Sequence, residues 1–300
     1  MEVLCYTDGM NTQEGRPRPY IGVSGVVKQE HVEPSGLVWH EWQHQFLQAH
    51  AEKVGLYDTG RMLALGVKAT HKTQFDDIEN KYGKDWYPVG EKQFEDAVNP
   101  KLLNKDTFVV AQTYLDVAYV DDADYRKQFT RQIAHRGRNF LHAIQFDMLP
   151  WHRNDEIFDY LEKLKASHDL KVLLQVHGEA MNELGPQGVV QKLGAHAASI
   201  DYLLFDSSHG TGKRMDADRL SEFLQEAYEA SALDNVGMGV AGGLNAERVR
   251  EDLPAIVAKF PNVSWDAEGQ LHPVNNGGKR PLQMGIVKNY LQASTDALRS

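Results

Sequence analysis

The chain has 300 residues, of which 42% are hydrophobic and 25% are charged, an ordinary composition for a globular protein. Its formal net charge of −10 disfavours nucleic acids and anionic membranes as partners, because both attract clustered Lys and Arg. The single cysteine, Cys5, excludes an intramolecular disulfide framework and suits a reducing compartment. No basic N-terminal segment leads into an apolar run, and no window approaches the roughly 18 apolar residues of a membrane span. The sequence therefore predicts a soluble, cytoplasmic protein.

Eight short, apolar and β-branched runs follow one another along the chain and alternate with amphipathic segments. Such alternation is typical of βα units around a parallel sheet. The segment at 155–168, for example, has the helical spacing that places Ile157, Leu161 and Leu164 on one face. The predicted strands cover residues 20–27, 62–70, 107–120, 140–149, 170–178, 201–207, 235–243 and 262–269.

Eight strands, each followed by a helix, predict an α/β fold of the (β/α)₈ TIM-barrel type. We expect one domain over residues 1–300, with residues 1–19 as an N-terminal extension. A doubly wound sheet stays open as an alternative, because periodicity counts βα units without showing that the sheet closes. The loop after strand two, residues 71–88, is long, polar and aromatic, and it would lie on the catalytic face as a lid or as a solvated insertion.

Three Gly-rich or polar turns follow the last three predicted strands: HGTGKR (209–214), AGGLN (241–245) and AEGQLHP (267–273). Glycine lets backbone N–H groups approach an anion closely, and a helix N-terminus adds a favourable dipole. Loops after strands seven and eight commonly bind phosphate in barrels, so the sequence predicts a phosphate site at these turns. The predicted phosphate-binding residues are Gly212, Lys213, Gly242, Gly243, Glu268 and Gly269.

Residues 201–290 carry DYLLFDSSHGTGKRMD, VAGGLNAERV and VSWDAEG in this order. In their order, spacing and strand context, these motifs resemble the second half of phosphoribosylanthranilate isomerase. The first half of that family is resembled more faintly, by the segments IGVSGVV and WYPVGEKQFEDAV. The resemblance implies an isomerase of tryptophan biosynthesis that needs no cofactor or metal. Its reaction would be an Amadori rearrangement, of the aldose–ketose type, on a phosphoribosyl amine.

The resemblance implies that Asp206, at the end of strand six, is the general acid that opens the ribose ring. Ser24 stands where the family has the Cys that serves as the base. A serine hydroxyl is too weakly acidic for that role unless another group activates it, so anthranilate isomerisation is expected to be slow or absent. Candidates for a replacement base are Asp147, His177 and Asp116, each on or near the end of a strand.

The part of the pocket that would hold the amine also departs from the family pattern. Trp86 precedes Tyr87 where the family has an Arg that holds the anthranilate carboxylate. The candidate substrate-binding residues are Lys68 and Lys72, as nearby cations, and Gln145 at the end of strand four. We therefore expect an isomerase or lyase that acts on a small phosphorylated sugar or its aryl-amine derivative. A barrel that binds a phosphate ligand without catalysis stays open, and the oligomeric state is undetermined.

A competing motif lies at residues 37–46, LVWHEWQHQF, which contains His40, Glu41 and His44 as H-E-x-x-H. On a helix, a spacing of four would place both imidazoles on one face to bind Zn²⁺, while Glu41 would activate water. A zinc hydrolase is therefore an alternative function. In a barrel, however, this stretch would be the outer helix after strand one, away from the strand ends, so the preferred expectation is a surface helix without metal.

Overall fold

A computed structural model describes residues 15–32, 38–99, 103–116, 118–137, 140–208 and 213–299, and at 28–32 and 38–42 it describes the backbone alone. The strands are β1 (Tyr20–Ser24), β2 (Lys28–Val32), β3 (Val38–Trp42), β4 (Met62–Thr70), β5 (Thr107–Tyr114), β6 (Ala143–Asp147), β7 (Lys171–His177), β8 (Tyr202–Asp206), β9 (Gly237–Ala241) and β10 (Ser264–Ala267). The helices are α1 (Gln43–Val54), α2 (His71–Gln74), α3 (Gly90–Val98), α4 (Ala123–Gly137), α5 (Glu156–His168), α6 (Gly178–Ala195), α7 (Ala217–Glu229), α8 (Ala246–Lys259) and α9 (Met284–Arg299). None of these helices is both long enough and apolar enough to cross a membrane.

Strands β1 and β4 to β10 form a closed barrel in which every neighbouring pair is parallel. Closure comes from β10, which pairs with β1 and places Asp266 opposite Gly22. The prediction of a single-domain (β/α)₈ barrel is thus confirmed, and the doubly wound alternative is wrong. All eight predicted strands are present, although the third ends at Tyr114 instead of residue 120. There the Asp116 carboxylate accepts a hydrogen bond from the Ala118 N–H at 2.9 Å and forms a turn.

The barrel interior is filled at the end where the strands begin. Tyr20 packs edge-on against Phe108 and Tyr202, with ring centroids 5.5 and 5.4 Å apart. The apolar residues of this layer are Tyr20, Met62, Ala64, Phe108, Val110, Ala143, Leu173 and Tyr202. A much larger apolar layer lies between the barrel and its helices. Because the apolar plug closes one end, the polar groups that face inward collect at the carboxyl ends of the strands.

The prediction of a helix over the H-E-x-x-H motif is wrong. His40 and Glu41 lie in β3, which pairs antiparallel with β2, and α1 begins only at Gln43. Aromatic and β-branched residues in VWHEW favour an extended strand over a helix. His44 is buried on α1, and its Nε2 lies 2.5 Å from the carbonyl oxygen of Ala97. The spacing argument for a zinc site therefore fails, because the motif changes from strand to helix between Glu41 and His44.

The loop after β4 runs over the carboxyl end of the barrel and contacts the loop after β10. Trp86 and Tyr87 are buried, and the Trp86 ring stacks on His272 at 4.6 Å. The Arg280 N–H donates to the carbonyl oxygen of Tyr82 at 3.0 Å. Lys279 and Glu79 form an ion pair between the same two loops. These contacts place aromatic side chains from residues 71–88 at the carboxyl ends of the barrel strands.

Candidate active site

A cavity of about 500 Å³ opens at the carboxyl ends of the strands, between the loops that follow β4 and β10. Its wall combines acidic groups, glycine turns and aromatic rings. Its lining residues include Asp206 and Ser208 from the end of β8, Gly242 and Gly243 after β9, and Asp266, Glu268 and Gly269 at the end of β10. The size suits a small organic ligand, and this position is where barrel enzymes carry their active sites.

Two of the three turns predicted to bind phosphate line this cavity. Gly242 and Gly243 have φ angles of 132° and 59°, a region that favours glycine. A Cβ at Gly242 would lie 3.0 Å from the Cβ of Met215 and 3.6 Å from Oδ1 of Asp206, so its backbone passes close to both residues. Helix α8 begins directly after this turn, and Asn245 Oδ1 accepts a hydrogen bond from the Arg248 N–H at 3.0 Å.

The second predicted turn, after β10, contributes Glu268 and Gly269 to the cavity. The third, in the loop after β8, lies partly outside the described residues, since Gly212 falls in the gap at 209–212. Lys213 is described, but it is exposed and does not line the cavity. Among the described residues, the turns predicted to bind phosphate are therefore represented at the cavity by those after β9 and β10.

Asp206 is held in a defined orientation at the end of β8. Its carboxyl group is buried, and its Oδ2 accepts a hydrogen bond from Gln175 Nε2 at 3.0 Å. Its Oδ1 accepts one from the Ser208 N–H at 2.8 Å. The side chain faces the cavity beside the Gly242 turn, which is where the predicted general acid would need to be.

Ser24 is fully buried and does not line the cavity, but it contacts an aspartate that does. Its hydroxyl donates to Asp266 Oδ2 at 2.8 Å. Gln112 Nε2 donates both to Ser24 Oγ, at 2.5 Å, and to Asp266 Oδ2, at 3.1 Å. Burial raises the pKa of Asp266 to about 7 and outweighs the opposing effect of the Ser24 hydrogen bond. Asp266, which lines the cavity, therefore changes its protonation state near neutral pH.

Glycines on two neighbouring strands make room for this network. A Cβ at Gly22 would lie 2.3 Å from Asp266 Oδ1, and a Cβ at Gly66 would lie 2.8 Å from the Gln112 side-chain carbon Cδ. Contacts this short would force the Asp266 and Gln112 side chains to move. Glycine at positions 22 and 66 therefore allows both polar side chains to lie inside the barrel.

A second polar cluster surrounds Lys68, which is fully buried on β4. The Lys68 ammonium lies 2.6 Å from Glu268 Oε2 and donates to the Tyr114 hydroxyl at 2.5 Å. Gln145, which lines the cavity, donates to Asp147 Oδ1 at 2.7 Å. Burial raises the pKa of Asp147 to about 6, although the charge of Lys68 opposes this shift. Gln145 thus lines the cavity, while Lys68 and Asp147 lie in the same cluster without lining it.

Three other predicted site residues lie elsewhere. His177 is buried outside the cavity, with its Nε2 3.3 Å from the Leu149 carbonyl oxygen and its ring 5.0 Å from that of His152. Lys72 is exposed on α2, and Asp116 is half-buried in the loop after β5. None of the three lines the cavity.

An aromatic wall closes the side of the cavity that is formed by the loop after β4. Tyr82, Trp86 and Tyr87 of this loop contribute its rings, and Tyr114 at the end of β5 adds a fourth. The Arg280 guanidinium lies over the Tyr82 ring at 4.8 Å and over the Trp86 ring at 5.7 Å. Arg280 lines the cavity, and its buried Nε has no hydrogen-bond partner among the described residues.

Sequence reasoning missed Asp266 and Arg280 as site residues. Asp266 stands inside the VSWDAEG motif, two positions before Glu268, and strand alternation places these two side chains on the same face. That alternation was the available signal. Arg280 lies in a long loop, and no spacing in the sequence indicates that it returns to the cavity.

The family model "N-(5′phosphoribosyl)anthranilate (PRA) isomerase" matches residues 139–264. This match covers β6 to the start of β10, and therefore includes Asp147, Asp206 and the Gly242 turn but ends before Asp266. No curated protein matches the sequence.

Among solved structures, one from Aquifex aeolicus VF5 is similar over 98% of this chain and 99% of its own, with 14% identity and a TM-score of 0.53. The octameric ribulose-1,5-bisphosphate carboxylase/oxygenase from Pyrococcus horikoshii OT3 matches with 12% identity and a TM-score of 0.48 over 94% of this chain. This chain spans 57% of the length of that carboxylase chain. Tryptophan synthase from M. tuberculosis matches with 15% identity and a TM-score of 0.44, over 94% of this chain and 92% of its own.

At 14% identity, the similarity to the Aquifex aeolicus structure shows only a shared fold, and the family model supplies the more specific relationship. The matched segment contains the strand that ends in Asp206 and the Gly242–Gly243 turn, two features that the sequence motifs had indicated. The chain is a (β/α)₈ barrel, and residues 139–264 of it match the family model of phosphoribosylanthranilate isomerase.

Proposed function

We propose that this chain is an isomerase of small phosphorylated sugars or phosphoribosyl aryl amines, and that it works by general acid and base catalysis in the barrel cavity. The observation that carries the proposal is that two buried carboxyl groups, Asp206 and Asp266, line the same cavity as the Gly242–Gly243 turn. The reaction needs one group that donates a proton to the ring oxygen and another that removes a proton from C2.

The substrate phosphate would bind at the turn after β9 and at the N-terminus of α8. Gly242 and Gly243 have no Cβ that would keep an anion away from the backbone, and the helix dipole favours an anion there. Asp206 lies next to this turn. A phosphate bound there would therefore bring the attached ribose beside the Asp206 carboxyl group.

In the proposed reaction, Asp206 donates its proton to the ring oxygen as the bond from C1 to that oxygen breaks, and C1 forms an iminium with the amine nitrogen. Asp266 then removes the proton from C2 and leaves an enol. The proton held by Asp266 is delivered to C1, and the enol hydroxyl gives its proton to Asp206 as the C2 ketone forms. Both carboxyl groups end in their starting states, so the cycle needs no cofactor.

Asp266 suits the role of base better than Ser24 does. A base with a pKa of about 7 is ionised in about half of the molecules at neutral pH, while a serine hydroxyl is protonated. The Ser24 hydroxyl donates to the Asp266 carboxylate and favours its ionised form. Ser24 is thus a positioning residue, and Asp266 has the role of base that the family gives to a cysteine.

The aromatic wall supports an aryl amine as one part of the substrate. Tyr82, Trp86 and Tyr87 line the cavity, and a planar aryl group could pack against this aromatic wall. Arg280 lies over these rings and carries the charge that would pair with an aryl carboxylate. Arg280 would thus do the work of the Arg that Trp86 replaces.

The test is a turnover screen of the full chain against phosphoribosyl aryl amines, with and without a ring carboxylate, and against simple aldose phosphates. We expect isomerisation of at least one of these compounds, and we expect Asp266→Asn to slow it by about 100-fold or more. Asp218→Asn, a change of an exposed aspartate on α7, serves as the matched control. Binding of these phosphates without any turnover would favour the barrel that binds a ligand without catalysis.

A further inference from the structure

A histidine and two glutamates converge on the outside of the barrel, away from the cavity wall. His152 lies in the loop after β6, and Glu179 and Glu183 lie in the first part of α6. A spacing of four residues places the two glutamates on the same side of the helix. One side-chain nitrogen or oxygen atom from each of the three residues lies within 4.8 Å of the others. This is a compact set of side chains that bind metals well.

His152 is the unusual member of this cluster. Its side chain is 1% exposed, and neither Nδ1 nor Nε2 has a hydrogen-bond partner among the described residues. Its Nε2 points toward Glu183, 3.4 Å from Oε2. Buried polar atoms without partners are uncommon and costly, so this imidazole requires an explanation.

We propose that His152, Glu179 and Glu183 form a binding site for one divalent transition-metal ion, such as Zn²⁺. One imidazole nitrogen and two carboxylate oxygens make a three-ligand set that leaves a further position for water. The site goes beyond the proposed isomerase function, because no step of that reaction uses it.

Arg153 would compete with the metal ion for the two glutamates. Its guanidinium contacts both glutamates, at 2.9 Å from Glu179 Oε1 and also at Glu183. The Arg153 side chain is 55% exposed, so it can turn away into solvent when an ion binds. Removing it would leave the carboxylates charged and unpaired, and would therefore strengthen metal binding.

A bound ion would also restrain the loop after β6, which is linked to the cavity by hydrogen bonds. Within this loop, Met148 N–H donates to Gln175 Oε1 at 3.2 Å, and Trp151 Nε1 donates to the Gln175 carbonyl oxygen at 3.0 Å. Gln175 in turn holds Asp206. Metal binding should therefore hold the loop after β6 against α6, and it should raise the melting temperature of the chain.

The experiment is calorimetric titration of the metal-free full chain with ZnCl₂, repeated with CoCl₂ while the visible absorption of Co²⁺ is recorded. We expect one ion per chain and a rise in melting temperature. The double variant Glu179→Gln/Glu183→Gln should weaken Zn²⁺ at least about 10-fold, as loss of ligands requires. Arg153→Ala should bind Zn²⁺ more tightly than the native chain.

Two controls keep the result specific. Glu156→Gln/Glu162→Gln changes the same number of exposed charges on α5 and should leave the affinity unchanged. His168→Ala removes an exposed histidine on α5 and should also have no effect. The proposal is overturned if the native chain binds no Zn²⁺, or if the Glu179→Gln/Glu183→Gln variant binds it as tightly as the native chain. Because the readout is binding, it stays informative even if the chain is not an isomerase.

Discussion

Ser24 and Asp266 lie side by side across the seam that closes the barrel, where the serine Oγ donates a hydrogen bond to the aspartate Oδ2 at 2.8 Å. The two residues are 242 positions apart in the chain. The serine is buried, and only the aspartate reaches the cavity. On this basis we propose that Asp266 transfers the substrate proton, and that the residue at position 24 does not.

Ser24→Ala should change the pH dependence of isomerisation. The native rate should rise as pH increases through about 7, because the base must be ionised to remove a proton. Removing the Ser24 hydroxyl deletes a hydrogen bond that lowers the Asp266 pKa, so the midpoint should move to higher pH. The measurement is a pH–rate profile of kcat/KM, with Ser167→Ala, an exposed serine on α5, as the control. An unchanged midpoint in Ser24→Ala would contradict the positioning role.

Asp266 should also make the stability of the chain depend on pH. Its folded-state pKa of about 7 is raised from 3.8, so its contribution to stability is fully present below about pH 4 and is lost as pH rises through 7. A shift of this size corresponds to on the order of 4 kcal/mol. Asp266→Asn should therefore flatten the fall in unfolding free energy between pH 4 and 8, measured by urea denaturation. Parallel curves for the native and variant chains would show that Asp266 titrates normally.

Gly242→Ala should weaken phosphate binding and lower stability. Its φ of 132° is strained for any residue with a Cβ, and the added Cβ would meet Met215 at 3.0 Å. We expect a loss of about 1–3 kcal/mol in unfolding free energy. Titration with a phosphosugar should show weaker binding as well. Gly285→Ala, in α9 with no atom within 4 Å of its added Cβ, is the control, and equal effects at both sites would argue against a phosphate site at the Gly242 turn.

Arg280→Gln should change substrate choice more than catalysis. Loss of a charge-assisted hydrogen bond would raise KM about 10-fold for a phosphoribosyl aryl amine that carries a ring carboxylate. KM for the same amine without the carboxylate should stay nearly constant. Steady-state kinetics on the matched pair of substrates measures this difference, and Arg250→Gln, an exposed arginine on α8, controls for charge. A uniform effect on both substrates would remove Arg280 from carboxylate recognition.

The barrel could be predicted from the sequence because each βα unit carries its own periodicity. The position of Asp206 could also be predicted, since it ends an apolar strand and precedes a glycine loop. Asp266 could not, because its partnership with Ser24 depends on the register between the first and last barrel strands. The H-E-x-x-H prediction failed for a related reason. Four-residue spacing has meaning only inside a helix, and tertiary pairing of β2 with β3 makes His40 part of a strand.

The central claim is that Asp266 removes the C2 proton and Asp206 opens the ring. It is tested most directly by following, with NMR in D₂O, the loss of the C2 proton from a phosphoribosyl aryl amine. The native chain should exchange this proton at the rate of turnover, and Asp266→Asn should slow the exchange by about 100-fold or more. Asp206→Asn should slow ring opening by a similar factor while leaving phosphosugar affinity nearly unchanged. Exchange at the native rate in Asp266→Asn would contradict the assignment of Asp266 as the base.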